Sequence, residues 1–424
     1  MNRDWLAVFE ALRSVYTEGA YSNMAVNEAL LHHKGCKESF VRNYAKGVLR
    51  DTIRLDYLID RLAERGIEKI AKRPLIILRM GIYAIDCLDS VPNHAAVSEA
   101  VNLSKKTARG TDGFINGVLR SYLRRKDEFE IPEDRPDVKY SMNPAIISLI
   151  REQYADEAAK ILEGLNEPPE TVLRINRLRA DREDVIAELR AMGIEAEASE
   201  DSPNAVKASG SGIVGSQAYK EGRISIQSLS SMMAIEAFSP KSGSSVLDLC
   251  AAPGGKSAYM AEIMGNRGKI TACDIYEHRL YLVDKTTARL GIDIVETRLS
   301  DGTVFNKSME NAYDYVLADV PCSGLGVMAA KPEISFNSDP AEYDSLIEIQ
   351  RAIAKNAVLY AKPGGRIEYS TCTLNKRENE DIIEFLLEGE QGSLLRVLEM
   401  RTLMPYNCRV GFFYCIMEKS PQRD

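Results

Sequence analysis

Through the first 126 residues apolar side chains recur at i, i+3 and i+4, and no β-rich run interrupts them. The spacing predicts helices over Trp5 to Tyr16, Phe40 to Ala63, Leu75 to Leu88 and Asn93 to Lys105, with Pro74 and Pro92 placed where helices can begin. A further helical stretch, Asp112 to Arg120, runs on into Arg124-Arg125-Lys126 and ends basic. Together these predict an all-helical bundle. The pattern breaks at Ile131-Pro132-Glu133-Asp134-Arg135-Pro136, a linker by its prolines and charges. From Ser141 to about Pro240 the signals mix: a helix over Pro144–Gly164, a strand over Thr171–Ile175, a helix over Arg182–Met192, then short extended pieces. That is the signature of a small α+β insert, with a basic strand end at Arg174, Arg177 and Arg179.

From Ser244 onward strand and helix patterns alternate. Strands are expected at Ser245–Cys250, Lys269–Asp274, Ile294–Leu299, Tyr313–Asp319 and Arg366–Thr371, and helices at Lys256–Met264, Glu277–Leu290, Glu342–Tyr360 and Glu378–Leu387. Such alternation predicts a doubly wound, mostly parallel sheet of Rossmann-like α/β type. The expected domains are 1–130, 140–240 and 241–424.

Composition adds modest constraints. With 45% hydrophobic and 27% charged residues, and no run of eighteen apolar residues, the chain reads as a soluble globular protein with no membrane partner. Met1-Asn2-Arg3-Asp4-Trp5 lacks the basic-then-apolar pattern of a signal peptide, so a cytoplasmic location is expected. A monomer is expected as well. The net charge of −8 hides an asymmetry, because residues 1–126 hold 21 Lys and Arg against 14 Asp and Glu. A basic module on an acidic body suits a locally gripped anionic partner such as nucleic acid. Helical surfaces rich in Lys and Arg would give the same count. The eight cysteines are scattered without a Cys-x-x-Cys pair, so no metal site is expected.

Strand ends are where open α/β sheets keep their chemistry. Val246 to Cys250 runs straight into Ala251-Ala252-Pro253-Gly254-Gly255-Lys256 and then a helix, a turn that lets a ligand approach the backbone and meet free helix N–H groups. A Walker A loop would need glycine where Cys250 stands, and the stretch does not fit Gly-x-Gly-x-x-Gly. Asp274, Asp301 and Asp319 close the next three strands, and Asp274 is placed to hydrogen-bond a ribose. An electronegative rim of this kind suits a nucleoside with a positive centre, S-adenosylmethionine, better than a pyrophosphate.

Two cysteines follow strand ends in small polar surroundings: Cys322 in Asp319-Val320-Pro321-Cys322-Ser323-Gly324, and Cys372 in Ser370-Thr371-Cys372-Thr373. Carbon 5 of cytosine is too poor a nucleophile to take a methyl group unaided. A thiolate must first add to C6, an acid near N3 assists, and a base later removes the C5 proton. One thiol, one acid and a second proton acceptor are therefore required. Spacing alone does not rank the two thiols.

These residues carry a resemblance. Cys250 to Lys256, Asp319 to Gly324, Lys331-Pro332-Glu333, and Ser370 to Thr373 with Glu378-Asn379-Glu380 closely resemble the Sun/NOL1/NOP2 family of RNA cytosine-5 methyltransferases. The helical N-terminal module resembles the NusB antiterminator fold, and the whole chain is similar to the bacterial RsmB type, which acts on 16S ribosomal RNA. By matching position the resemblance implies that Cys372 attacks, Cys322 assists release of the covalent adduct, Asp319 contacts the base beside the cofactor, and Lys256 faces the catalytic pocket. It further implies that Cys250, Ala251, Ala252, Pro253, Gly254, Gly255 and Lys256, with Asp274, Asp301 and Asp319, hold S-adenosylmethionine. In DNA-type enzymes the Pro-Cys residue attacks, so the separate Thr-Cys motif points to the RNA family. The chain departs from the family pattern at Met142, Ser228 and Val410.

Overall fold

In the computed structural model residues 2–168 and 170–420 are described. Two compact units divide the chain: one runs to Asn166 and takes in Met328–Ser338, and the other comprises Glu167–Val327 and the residues from Asp339 onward.

The first unit is helical, as expected, with helices Arg3–Glu18, Ser22–His32, Glu38–Arg50, Thr52–Leu62, Lys72–Cys87, Asn93–Thr107 and Asp112–Arg125. Its first helix starts where the Asn2 side chain accepts from the Asp4 N–H, and stops at Gly19, whose φ of 70° is left-handed. Apolar stripes meet at Trp5, Tyr44, Met80 and Leu119, all buried. Burying each such side chain stabilises the fold by about 1.5–3 kcal/mol. Tyr44 stands edge-on to Trp5 at 5.2 Å, and its hydroxyl donates to the Met80 carbonyl at 2.8 Å, so the one polar atom of that ring is satisfied. The predicted helix Pro144–Gly164 is two helices, Pro144–Tyr154 and Ala158–Asn166, separated by a turn in which Ala155 has φ 40°. By compactness both fall in the first unit, which runs to Asn166.

Met328–Ser338 carries Lys331-Pro332-Glu333 back into this helical unit. The Ser22 N–H donates to Glu333 Oε1 at 3.0 Å, the Asn143 N–H donates to the Ser335 carbonyl at 2.8 Å, and the Phe336 ring lies 5.5 Å from that of Tyr16. Glu333 is buried there, and Met142, one of the departures from the family pattern, is buried in the same unit.

The second unit opens with a four-stranded antiparallel sheet in the order β2-β3-β1-β4, formed by β1 (Thr171–Ile175), β2 (Glu195–Ala198), β3 (Ala205–Ser209) and β4 (Ile224–Ile226). Arg174, expected at a basic strand end, is fully buried instead. Its guanidinium donates to Glu262 Oε1 and to the Gly255 carbonyl, both at 2.7 Å, and to Gln227, and it lies 4.9 Å over the Tyr259 ring. A charge so enclosed pins the small sheet to the helix Gly255–Ile263 and is not a surface contact. Arg177 and Arg179 remain on the surface side, Arg177 beside Asp181 at 3.3 Å and Arg179 on the Glu221 carbonyl at 2.6 Å.

The large sheet comprises β5 (Ser245–Asp248), β6 (Lys269–Asp274), β7 (Val295–Leu299), β8 (Tyr313–Asp319), β9 (Ala361–Thr371), β10 (Leu395–Leu403) and β11 (Phe412–Lys419). Its order is β10-β11-β9-β8-β5-β6-β7. β5 to β9 pair in parallel, as the alternating pattern requires, and β10 and β11 add an antiparallel hairpin that the pattern did not predict. Helices Leu229–Phe238, Gly255–Ile263 and Glu277–Leu290 cover one face; Tyr343–Tyr360 and Glu380–Glu388 cover the other. The order in which successive strands are added reverses between β5 and β8, and at such a switch point the strand ends leave a crevice for a ligand.

Candidate active site

The loop after β5 turns at Gly254, whose φ of 97° is left-handed. A Cβ there would stand 3.0 Å from the Val283 Cα, so the helix beginning at Gly255 needs glycine before it. Beside this helix start lies a cavity of about 210 Å³ lined by Cys250, Ala251, Ala252, Pro253, Gly255, Lys256 and Asp319. Ile226, Gln227, Ser231 and Asp248 complete it and were not foreseen. Gly254 shapes the turn rather than lining the cavity. Asp274 and Asp301 are not among its walls: Asp274 is buried at the end of β6, with Arg279 Nη1 3.4 Å from it, and Asp301 accepts from the Thr303 N–H and hydroxyl in the loop after β7.

Asp248 is fully buried, receives the Ser257 hydroxyl at 2.5 Å, and has its carboxyl pushed up to about 7, chiefly by burial. Asp319, at the end of β8, takes Lys256 Nζ on Oδ2 at 2.7 Å and the Ser370 hydroxyl on Oδ1 at 3.3 Å. Burial works against the Lys256 ammonium, but the Asp319 charge and hydrogen bond, with Cys372 and Asp248 nearby, leave its affinity for the proton above the usual lysine value. The ammonium also lies 5.4 Å from the Phe412 ring centre. Lysine and aspartate therefore stand as a charged pair facing the second half of the site.

That half is built by β8 and β9, neighbours in the sheet. Cys322 follows β8, Cys372 follows β9, and their sulfurs are 3.3 Å apart. Both thiols are partly exposed. The hydrogen bond with Cys372, then burial, pushes the Cys322 thiol well above its ordinary value. Either sulfur can donate its S–H to the other across this contact.

Behind the thiols a single buried carboxylate clamps both loops. Glu378 accepts from the Ser323 N–H at 2.8 Å, the Ser323 hydroxyl at 2.5 Å, Gln350 Nε2 at 2.9 Å and Asn375 Nδ2 at 3.0 Å. The Ser323 and Thr373 hydroxyls lie 2.8 Å apart, and Asn379 joins the Thr371 hydroxyl to the Thr373 carbonyl. The Cys372 carbonyl accepts from the Gly326 N–H at 3.0 Å, and Gly326 in turn accepts from the Gly411 N–H at 2.8 Å. A Cβ on Gly326 would strike the Gly411 carbonyl, so this approach requires glycine. Of the clamp, the sequence reading singled out the Glu378-Asn379-Glu380 motif but neither Gln350 nor Asn375.

A Rossmann-like sheet with a glycine-turned helix start and an acid at the switch point defines a methyltransferase-type site. Comparison with known proteins gives the family. Residues 235–415 match the 16S rRNA methyltransferase RsmB/F family, residues 5–124 the NusB family, and residues 146–214 the ferredoxin-like domain of RsmF/B-like methyltransferases. The chain is 32% identical to a Bacillus subtilis (strain 168) protein described as "Probable ribosomal RNA small subunit methyltransferase B", over 97% of each chain. It is 28% identical to "Ribosomal RNA small subunit methyltransferase B" of Proteus mirabilis (strain HI4320), again over 97% of each. A solved structure of a protein called PH0851 superposes with TM-score 0.85 at 25% identity, covering 98% of both chains. The chain belongs to the ribosomal RNA small subunit methyltransferase B family.

As a methyltransferase of this family it draws its methyl group from S-adenosylmethionine. The cavity fits that molecule: helix N–H groups at Gly255 and Lys256 suit a carboxylate, and the Asp319 carboxylate suits a sulfonium.

Proposed function

We propose that this protein methylates carbon 5 of a cytosine in 16S ribosomal RNA through a covalent bond between Cys372 and C6 of the base. The observation that carries the reading is the pair of sulfurs 3.3 Å apart at the ends of adjacent strands, with the Asp319–Lys256 pair beside the same pocket. S-adenosylmethionine, when bound along Cys250–Lys256 with Asp319, supplies the methyl group. Asp274 and Asp301, which do not line the cavity, are proposed as further cofactor contacts from the family pattern alone.

Cys372 adds to C6 as the thiolate, while Asp319 steadies the ring at N3 and the exocyclic amine. The ring then has enamine character at C5. Lys256 keeps Asp319 oriented and favours negative charge on Cys372. After transfer the C5 proton must leave and the C6–S bond must break. Cys322, adjacent to Cys372, takes part in that elimination. A stacked base cannot reach such a sulfur, so the substrate is an unstacked or loop cytosine. Residues 1–126, with seven more basic than acidic side chains, supply phosphate contacts that orient the RNA without reading its sequence.

A second reading, a non-catalytic RNA-binding assembly factor, is disfavoured because both thiols, Asp319 and the glycine turn stand together. Bisulfite sequencing of 16S ribosomal RNA from cells with and without the gene tests the proposal. One protected cytosine that disappears with the gene is the expected result; an unchanged pattern excludes it.

A further inference from the structure

Beneath the Asp319–Lys256 pair lies an acid with no assigned task. Glu368 sits in the middle of β9, fully buried, between Leu317 of β8 and Ile416 of β11. Neither carboxyl oxygen meets a hydrogen-bond partner of ordinary geometry among the described residues. Side chains two apart on a strand share a face, so Glu368 and Ser370 point the same way, and the Ser370 hydroxyl is the polar group facing the acid. Ser370 pairs in register with Asp319, and its hydroxyl is 3.3 Å from Asp319 Oδ1. Three oxygen-bearing side chains therefore descend from the pocket into the sheet.

We propose that Glu368, Ser370 and Asp319 form a buried proton relay that supplies N3 of the cytosine as Cys372 adds to C6. The inference rests on the cytosine-addition reading above. In the forward step the Glu368 carboxyl turns its O–H onto Ser370 Oγ, that O–H bond breaks and the proton passes to Ser370 Oγ, while the Ser370 hydroxyl proton passes to Asp319. Asp319 then gives that proton to N3, and the electron pair of the C5–C6 double bond shifts as the C6–S bond forms. Glu368 is left as carboxylate and the ring as the N3-protonated adduct; elimination returns the proton by the same route. Charged and titratable groups act on Glu368 from the elements around it: Lys256 from its helix, Asp248 from β5 and Asp319 from β8, while Cys415 of β11 lies on the opposite face of the sheet. Burial, with the Asp319 and Asp248 charges and against that of Lys256, pushes the Glu368 carboxyl up to about 8, so it carries a proton at neutral pH. It acts through Ser370 and Asp319 and touches no substrate.

The test uses the full chain in a Cys322→Ala background, where the adduct accumulates, with unmethylated 16S RNA and S-adenosylmethionine, and follows adduct formation from pH 6 to 9. The parent rate is expected to fall on the alkaline side as Glu368 loses its proton. Glu368→Gln keeps the size and neutrality of the acid but cannot give up a proton. It is expected to slow adduct formation at least tenfold at neutral pH and to abolish the alkaline fall, with RNA binding unchanged. Ser370→Ala should do the same, and the double variant should be no slower than either single one. A Glu368→Gln protein with the parent rate and pH profile overturns the relay, as do two single effects that simply add. If Glu368→Gln fails to fold, Ser370→Ala decides alone: a lost alkaline fall supports the relay and a retained one overturns it. Absence of any adduct in the parent strikes the cytosine-addition reading instead, so the two failures are told apart.

Discussion

The sulfurs of Cys322 and Cys372 lie 3.3 Å apart although fifty residues separate them in the chain. Two adjacent parallel strands, β8 and β9, end at the same level, and Glu378 ties the loops that follow them. A sulfur–sulfur bond is about 2.05 Å long, so a small movement joins the two. Diamide should therefore bridge these thiols ahead of the other six and stop methylation, and dithiothreitol should restore it. Non-reducing peptide mapping reads the outcome. A bridge elsewhere, or two thiols still open to alkylation after diamide, contradicts the geometry.

Glu378→Ala would remove the acceptor of four donors at once, the partly buried Ser323 N–H and hydroxyl and the buried Gln350 and Asn375 amides, although the Ser323 hydroxyl keeps Thr373 and Gln350 keeps the Pro321 carbonyl. Leaving such groups unsatisfied costs about 1–3 kcal/mol for each site lost, so destabilisation on the order of 3 kcal/mol is expected after relaxation. Because the clamp sets the thiol spacing, adduct formation should fall by more than the stability loss explains. Urea unfolding and single-turnover kinetics on the folded protein separate the two effects.

Lys256→Met retains the stem of the side chain and removes the charge beside Asp319. The pair is partly exposed, so the stability cost should stay near 1 kcal/mol. Methylation should fall at least tenfold, because Asp319 loses its orienting partner and Cys372 a nearby positive charge. Initial rates alongside thermal melting check both numbers.

Stability should decline with pH in a window set by two buried acids. The fold prefers the neutral forms of Asp248, pushed up to about 7, and Glu368, pushed up to about 8. Below their ordinary values near 4 that preference is without effect. As pH rises through 4 to 8 the unfolded chain gives up these protons more readily than the folded one, so the folded state loses ground. Glu368→Gln should flatten the decline and be more stable than the parent at pH 8, by an amount on the order of a few kcal/mol, and so melt higher. Melting curves at pH 5, 6.5 and 8 check this; a parent protein whose stability rises over that range contradicts it.

Much of the site was legible because its residues punctuate regular elements. Strands Lys269–Asp274 and Tyr313–Asp319 and the helix Glu277–Leu290 run as their periodicity predicted, and their acids and the Pro-Cys motif fall at the ends. What escaped are features that depend on tertiary company. Arg174 reads as a surface charge until Glu262, Gln227 and the Gly255 carbonyl close around it. Met328–Ser338 has no local pattern that sends it into the helical unit. The hairpin β10–β11 was missed because β10 mixes exposed charges with half-buried apolar residues, as an edge strand does. Glu368 did leave a trace, since a carboxylate in a buried parallel strand breaks an apolar run. Its neighbours Ser370 and Asp319 emerge only when β8 and β9 pair.

The division of labour between the two thiols is tested most directly by denaturing electrophoresis of Cys322→Ala, Cys372→Ala and the double variant after incubation with 16S RNA and S-adenosylmethionine. A protein–RNA band that survives denaturation should appear with Cys322→Ala and be absent from the other two. A band with Cys372→Ala, or methyl transfer by that variant, would contradict the assignment of Cys372 as the attacking sulfur.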